Sequence, residues 1–538
     1  MKKGLILAFS IITFGISLYA EDAALPFEDT WATWERRFDR AYEGITSHKM
    51  PGRAMGILVP NETRHDLLPL PAFGYETLSK ETFSTVIILM PCPNSSKLDG
   101  LYMPDIERIE TSVGDFPVDL VLAGALADET AGIKFDSSFF IPKTPELLER
   151  QLIALKYVLK TGRATRLRIL PIFVQLSDPN GQTKDLAPMI ADKIKDIERE
   201  GDIVFVIAGN LSTTRSEPLL IQSDGALLNA IRNLDSDAVL NVAYSSATAR
   251  VETPDASVIA LGLLAIKWLG GEHGEILAYC HSSQLILTKD KNVYQGFASA
   301  AFASAPRIQN KLSYFNREKM VDTFGELLRT DILTLTRQTV MSTLDPTAAK
   351  PPSLIDKQAS RKWPVYVSLY DSEGGVAGQA GTHEPVGPLE ESLRRFAVEA
   401  TKNAQPRINR GNANSFVVDV SIPYGFIKVT QPEDLVPFLN GVIVYRQNKS
   451  SAMHPDGWRS YPDPHQFLGI ICFRLGMKPW AYATNEAKIE SFRVLSFNEK
   501  EPFQDLGASG RKKKKKSPDD EEEDLGGDSG GFGGGLPF

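Results

Sequence analysis

Residues 203–207 read Ile-Val-Phe-Val-Ile, an unbroken apolar run between Gly201-Asp202 and Ala208-Gly209-Asn210. A run this short, bounded by turn-forming residues, predicts a strand buried on both faces, as in sheets covered by helices on each side. Its surroundings agree. Residues 54–59, 85–89 and 167–174 are further short β-rich runs, and 145–160, 186–200 and 219–233 carry apolar residues at helical spacing. Strands alternating with helices predict an α/β layer fold with a largely parallel sheet. Working outward, residues 30–45 predict a surface helix in front. A helix over 257–269 and strands near 274–279 and 284–287 follow behind.

Residues 292–307, rich in small side chains, predict a connector to a second unit. There, 315–341 is strongly helical, 343–362 reads as an exposed loop, and 365–369, 415–422 and 441–445 read as strands. A helix over 463–475 and a strand over 493–496 complete an α+β domain. Beyond residue 503 the composition changes. Residues 511–516 are six consecutive basic side chains, 519–524 six acidic ones, and 526–535 are glycine-rich. Such a segment has too little apolar surface to offset its ordering entropy, so 503–538 is expected to be disordered.

Of the 538 residues, 59 are basic and 67 acidic, giving a formal charge of −8. That balance argues against a nucleic-acid coat, and no nucleic-acid partner is expected. Cys92, Cys280 and Cys472 are too few and too scattered for a disulfide scaffold or an all-cysteine zinc site. Lys2-Lys3, an apolar stretch over 4–19 and Ala20 before Glu21-Asp22 have the layout of a cleaved export signal. The expected location is exported, periplasmic or envelope-associated in a bacterium.

The first unit resembles the MEMO family, whose fold is similar to that of LigB-type dioxygenases. Gly56-Ile57-Leu58-Val59-Pro60 stands at the strand that ends Pro-His-Ala-Gly-Tyr in the family, and residues 86–91 at the strand ending Gly-Pro-Ser-His. Residues 111–119, TSVGDFPVD, follow the family's Thr-Pro-Leu-Gly-Asp-Leu-x-Val-Asp, and Glu149-Arg150-Gln151-Leu152 its Glu-Val-Gln-Leu-Pro. The second unit resembles the AMMECR family, on Gln431 to Pro437, Gly441 to Val444 and Phe467 to Gly476. The two families are paired with a radical-SAM protein in the system called AmmeMemoRadiSam. The resemblance implies domains over 21–305 and 310–500, after an export signal over 1–20.

The resemblance also shows what is missing. Imidazole and thiolate donors suit iron, copper or zinc. The family histidine after the first strand falls on Asn61, and Pro-Ser-His-His reads Pro91-Cys92-Pro93-Asn94. Ser-Ser-Asp-Phe-Ser-His falls on Ala208-Gly209-Asn210-Leu211-Ser212-Thr213, and the Cys-Gly segment on Glu252-Thr253-Pro254. No catalytic residue, metal or cofactor is therefore expected. Asn61, Cys92, Asn94, Asn210 and Thr213 remain candidates for a degenerate pocket where open α/β sheets place ligands. Plain loop packing is the more ordinary reading of them. In the second unit the family's Leu-Arg-Gly-Cys-Ile-Gly reads Val376-Ala377-Gly378-Gln379-Ala380-Gly381, so both reactive side chains are replaced. Gly378, Gln379, Gly381 and His383 are its candidate turn residues.

Other clusters read as structure. Cys280 is expected in the core, Glu272-His273-Gly274-Glu275 as a solvated turn, and His454 and His465 as polar groups of a loop and helix start. No Walker loop, HExxH or GxSxG elbow stands in a recognisable context. The expected function is an exported, non-catalytic binding or scaffold protein, a pseudoenzyme engaging a protein or small molecule, with a tail able to dock a protein or envelope surface. The alternative is a metal-dependent or radical-SAM-associated enzyme component with a rebuilt site.

Overall fold

The computed structural model describes residues 30–500 apart from 46–49, 63, 94–97, 142, 165–166, 245–250, 286–292, 307–316 and 485. The expected export signal, the charged tail and Asn94 lie outside the described residues. Among the described residues no helix is long and apolar enough to cross a membrane.

The first domain opens with α1 (Trp31–Ala41), which buries Trp34, Phe38 and Ala41 on one face. β1 (Ala54–Val59), α2 (Pro69–Leu78), β2 (Thr85–Pro91), β3 (Gly100–Met103), β4 (Arg108–Ile109) and β5 (Phe116–Pro117) follow. Next come α3 (Leu120–Leu126), β6 (Ile133–Phe135), α4 (Glu146–Ala164), β7 (Arg168–Gln175), α5 (Pro179–Asp196) and β8 (Ile203–Ala208). β9 (Thr213–Thr214), α6 (Glu217–Arg232), α7 (Ser236–Tyr244), β10 (Val251–Glu252), α8 (Ala256–Trp268), β11 (His273–His281) and β12 (Tyr294–Ala303) complete it.

Apart from β4 and β5, which form a separate two-stranded sheet, the strands form one sheet in the order β10-β9-β12-β1-β8-β2-β7-β3-β6, with β11 also paired to β12. β1, β8, β2 and β7 make a parallel centre, and every residue of β8 is buried, as its apolar run requires. The sheet is mixed rather than largely parallel, because β12, β11 and β3 each pair antiparallel.

Four expectations need correction. Residues 292–307 are not a connector, since most of them form β12, paired with β1, β9 and β11. Their small side chains serve close packing: a Cβ on Gly74 of α2 would lie 2.9 Å from Ser299 Oγ. Residues 272–275 are not a solvated turn, because His273 starts β11 and Glu275 is buried. Gln284 closes a short 3-10 turn over Ser282–Gln284 instead of starting a strand. The helix expected over 315–341 breaks at Phe324-Gly325 into α9 (Arg317–Thr323) and α10 (Glu326–Leu344).

The second domain continues with β13 (Val365–Tyr370), β14 (Val376–Thr382), α11 (Leu389–Asn403), β15 (Val417–Lys428), β16 (Gly441–Arg446), β17 (Lys449–Met453), α12 (Pro464–Arg474) and β18 (Lys488–Asn498). Its antiparallel sheet runs β14-β13-β15-β18-β16-β17. Residues of α10 and α11 fill one core with β13 and β15, and residues of α12 fill another with β16. The expected turn over 378–381 is a strand, β14. Its glycines are required by crowding: a Cβ on Gly378 would meet Ala400 O at 2.3 Å, and one on Gly381 would meet Tyr366 Cα at 2.5 Å.

Candidate functional site

Parallel pairing sets Val59 beside Ala208, so the chains leaving β1 and β8 carry Asn61 and Asn210 into contact. The Asn210 side chain makes both bonds. Asn61 N donates to Asn210 Oδ1 at 3.0 Å, and Asn210 Nδ2 donates to Asn61 O at 3.0 Å. Asn210 N donates to Asp255 Oδ2 at 2.7 Å, just before α8. Asn61, Asn210 and Asp255 are all buried. From α4, Gln151 Nε2 reaches Pro60 O at 3.3 Å while its Oε1 accepts from Tyr75 OH at 2.5 Å. At the carboxyl ends of these strands the Asn210 amide thus binds the chain itself, while Asn61 Oδ1 is buried with no hydrogen-bond partner among the described residues.

The other candidates do not join this pair. Cys92 is buried, and burial, with a smaller contribution from Asp136, pushes its thiol up to about 11. A thiol held neutral at pH 7 is a poor nucleophile and ligand. Thr213 sits in β9, its backbone opposite Glu252 and Gln295. Thr253, where the family has its cysteine segment, is buried.

Sequence reasoning missed a neighbouring acidic group. Asp224 of α6 is fully buried, accepting from Ser212 N at 2.9 Å and Tyr279 OH at 2.8 Å. Burial outweighs those bonds and raises its carboxyl to about 7; burial likewise raises Asp255 to about 6. The available signal was an aspartate on the same helical face as Leu220, Leu227 and Leu228. There is no room beside it, since a Cβ on Gly296 would lie 1.8 Å from Asp224 Oδ2. At the end of β11, Ser283 Oγ lies 2.9 Å from His281 Nδ1 and donates to Glu217 Oε1 at 2.7 Å. Burial lowers His281 to about 4, against the pull of Glu217, so the imidazole is neutral at pH 7.

The most specific family-like run serves architecture. Asp119 is buried, takes Thr85 Oγ1 at 2.5 Å and Arg199 Nη1 at 2.8 Å, and caps α3 through Leu122 N at 3.1 Å. Burial pushes its carboxyl up, but the bonds from Thr85 and Arg199 hold it below the usual range. Glu149 anchors the same loop by accepting from Ser112 N at 2.7 Å.

In the second domain, Gln379 Nε2 donates to Ser368 Oγ at 2.8 Å and lies 3.3 Å from Asp456 Oδ2. Asp456 Oδ2 also accepts from Tyr370 OH at 2.5 Å and lies 3.0 Å from His454 Nδ1. Asp419 behind them accepts from Ser421 and Ser496, and burial lifts it to about 7. His383 stands apart, with Nε2 3.2 Å from Ser450 Oγ. Gly378 and Gly381 are the crowded backbone positions of β14. The two histidines of residues 454–467 part company: His454 joins Asp456, whereas His465 joins Glu433 at 2.6 Å and Tyr482 at 2.9 Å.

The metal-type chemistry that the resemblance implies needs imidazole or thiolate donors. The matching positions offer two amides, that of Asn210 already bound to backbone, and a protonated thiol, which do not fit such an ion. Among the described residues no group of three or more His, Cys, Asp or Glu side chains could hold a metal ion.

Residues 35–300 match the family described as Memo-like protein, and residues 333–497 match AMMECR1. Over 140 residues the chain is 30% identical to Protein MJ0810 of Methanocaldococcus jannaschii, covering 24% of this chain and 68% of that protein. It is 26% identical over 169 residues to Protein MK0488 of Methanopyrus kandleri, covering 28% and 78%. The crystal structure of the uncharacterized protein PH0010 from Pyrococcus horikoshii aligns at TM-score 0.28 and 20% identity, covering 32% of this chain and 91% of that one.

Proposed function

We propose a function from the premise that this chain belongs to the Memo-like and AMMECR1 families and joins their two domains in one polypeptide: it is an exported, non-catalytic binding protein. The observation that carries this reading is the Asn210–Asn61 contact. The side chain at one former donor position, Asn210, spends both its oxygen and its nitrogen on the backbone of the other, Asn61. In the AMMECR1 domain Gln379 likewise ties β14 to Ser368 and Asp456. Export is supported by the layout of residues 1–20, and a periplasmic or envelope location goes with it.

A second reading, a rebuilt acid–base site, draws on Asp224 and Asp255, whose carboxyls titrate near neutrality as catalytic acids often do. Packing of Asp224 against Gly296 and Tyr279 favours structure over catalysis. Elemental analysis of the purified full chain tests the choice. Iron, copper and zinc each well below one atom per chain are expected. One tightly held atom per chain, lost on replacing Cys92 or His273, would establish the enzyme reading instead.

A further inference from the structure

The two domains meet where α12 packs on α6 and β11. Arg232 Nη1 donates to Asp463 Oδ2 at 2.5 Å, Gln466 Nε2 to Ile221 O at 2.8 Å, and Tyr279 N to Tyr482 OH at 3.2 Å. Beside this seam lies a cleft of about 730 Å³ whose walls come from both domains. Its volume and its position between domains are those of ligand sites. It is remote from the strand ends described above. Arg232 lies fifteen residues along α6 from Glu217, about 22 Å at 1.5 Å per residue.

Gln222, Ala226 and Asn229 face the cleft together, as their i, i+4, i+7 spacing on α6 dictates. Pro437, Pro462 and Pro464 supply apolar surface from the second domain. Arg232 also lines it. Its Nη1 is held by Asp463, whereas Nε and Nη2 are buried with no hydrogen-bond partner among the described residues. Buried guanidinium donors left open cost stability, so an acceptor brought there would be stabilised. Burial opposes the charge on Arg232, but Asp463 and then Glu433 more than offset it. An anionic ligand would add a third negative group around one guanidinium; a neutral carbonyl oxygen would not.

The rim supplies a second, independent observation. Phe438 has φ +64° and is 51% exposed, and Val436 beside Pro437 is 40% exposed. A bulky residue in the left-handed region costs about 1–2 kcal/mol. The turn nevertheless holds it there, through Val436 N to Asn440 Oδ1 at 2.7 Å and Asn440 N to Val436 O at 3.1 Å. Strained residues that expose apolar side chains beside a cleft are typical of ligand clamps.

We propose that this cleft binds an extended, neutral peptide segment of a partner protein, with a backbone carbonyl on Arg232 and an apolar side chain against Pro437 and Phe438. Gln222 and Asn229, each both donor and acceptor, suit a peptide backbone. The proposal goes beyond the preceding function: a metal found at Asn61 and Asn210 would overturn that function and still leave the residues that line the cleft in place.

The test is selection of random heptapeptides, displayed internally, on the full chain, with counter-selection on Ala226→Arg. Fluorescence anisotropy then measures selected peptides, labelled and capped at both ends. The expected result is a motif with apolar residues and few acidic ones. Binding should weaken at least tenfold in Ala226→Arg and in Phe438→Ser, two exposed positions whose variants should melt within about 2 °C of wild type. The proposal is overturned if no sequence is enriched over the counter-selection, if both variants bind as wild type does, or if binding requires a free carboxylate or an acidic motif.

Discussion

Replacing Asn210 by alanine tests whether the strand ends are structure or site. The change removes the acceptor for Asn61 N and the donor to Asn61 O, both at 3.0 Å in a buried setting. Each backbone group left unpaired costs about 1–3 kcal/mol, so the expected loss is about 2–6 kcal/mol. For a domain of this size, about 2–4 °C of melting temperature accompanies each kcal/mol, which gives a drop of roughly 4–24 °C. Differential scanning fluorimetry, with urea unfolding followed by circular dichroism, measures it. Two-domain proteins need not unfold in one step, so the first-domain transition is the one to follow. Thr213→Ala is the control and should stay within about 0.5 kcal/mol. Side chains kept for a ligand cost stability, and removing them leaves the fold as stable or more so. If Asn210→Ala melts within 2 °C of wild type, the claim that position 210 has become structural is wrong.

Three further outcomes are expected. The three cysteines, all buried, should not react with Ellman's reagent in the native protein at pH 7.5 within minutes, and all should react after denaturation; one fast thiol would reveal a live site. Asp224 titrates near 7 folded and near 4 unfolded, so its stabilisation is complete below about pH 4 and is lost as pH rises through 7. His281, lowered to about 4, gives the opposite slope between about 4 and 6.5, so urea midpoints should be compared from pH 6.5 to 8. There Asp224→Asn should flatten the decline seen in wild type, and an unchanged slope would contradict the assignment. Phe438→Gly should hold or raise stability by up to about 1 kcal/mol, because glycine accepts φ +64°, while weakening peptide binding; a loss above 1 kcal/mol would mean that the exposed ring is a packing element.

The centre of the first sheet was legible because apolar continuity has one good explanation: the 203–207 run is buried throughout as β8. β12 was not, because Gly296, Ala298, Ser299 and Ala300 resemble a linker in composition, and only the third dimension shows what crowds them. The loss of metal donors could be read from side-chain chemistry alone. The bonding of the Asn210 side chain to the Asn61 backbone could not, since it depends on the parallel register of β1 and β8. Asp224 stayed hidden because a single aspartate on an apolar helix face is usually assigned to solvent. The cleft was invisible for another reason: its walls lie more than two hundred residues apart in sequence and meet only when α12 docks on α6.

The replacement at position 210 differs from simple decay. Decay leaves polar groups stranded, as Asn61 Oδ1 is, each costing stability with nothing in return. Asn210 instead makes bonds through its side-chain oxygen, its side-chain nitrogen and its backbone N–H, the last to Asp255 before α8. These bonds fix the end of β8 against β1 and against the start of α8. The adjoining Ser212 N–H binds Asp224, fixing α6, and Asp224 in turn binds Tyr279 of β11. Those are the two elements on which the AMMECR1 domain rests, through Ile221, Arg232 and Tyr279. Converting the strand ends into an internally bonded block therefore stiffens the base of the domain seam. A seam that cannot shift keeps Arg232 and the prolines at fixed separation, and a preorganised cleft binds more tightly because less freedom is lost on binding. The two halves of the molecule are thus coupled in a testable direction: Asn210→Ala should weaken peptide binding at the cleft even though no peptide reaches residue 210.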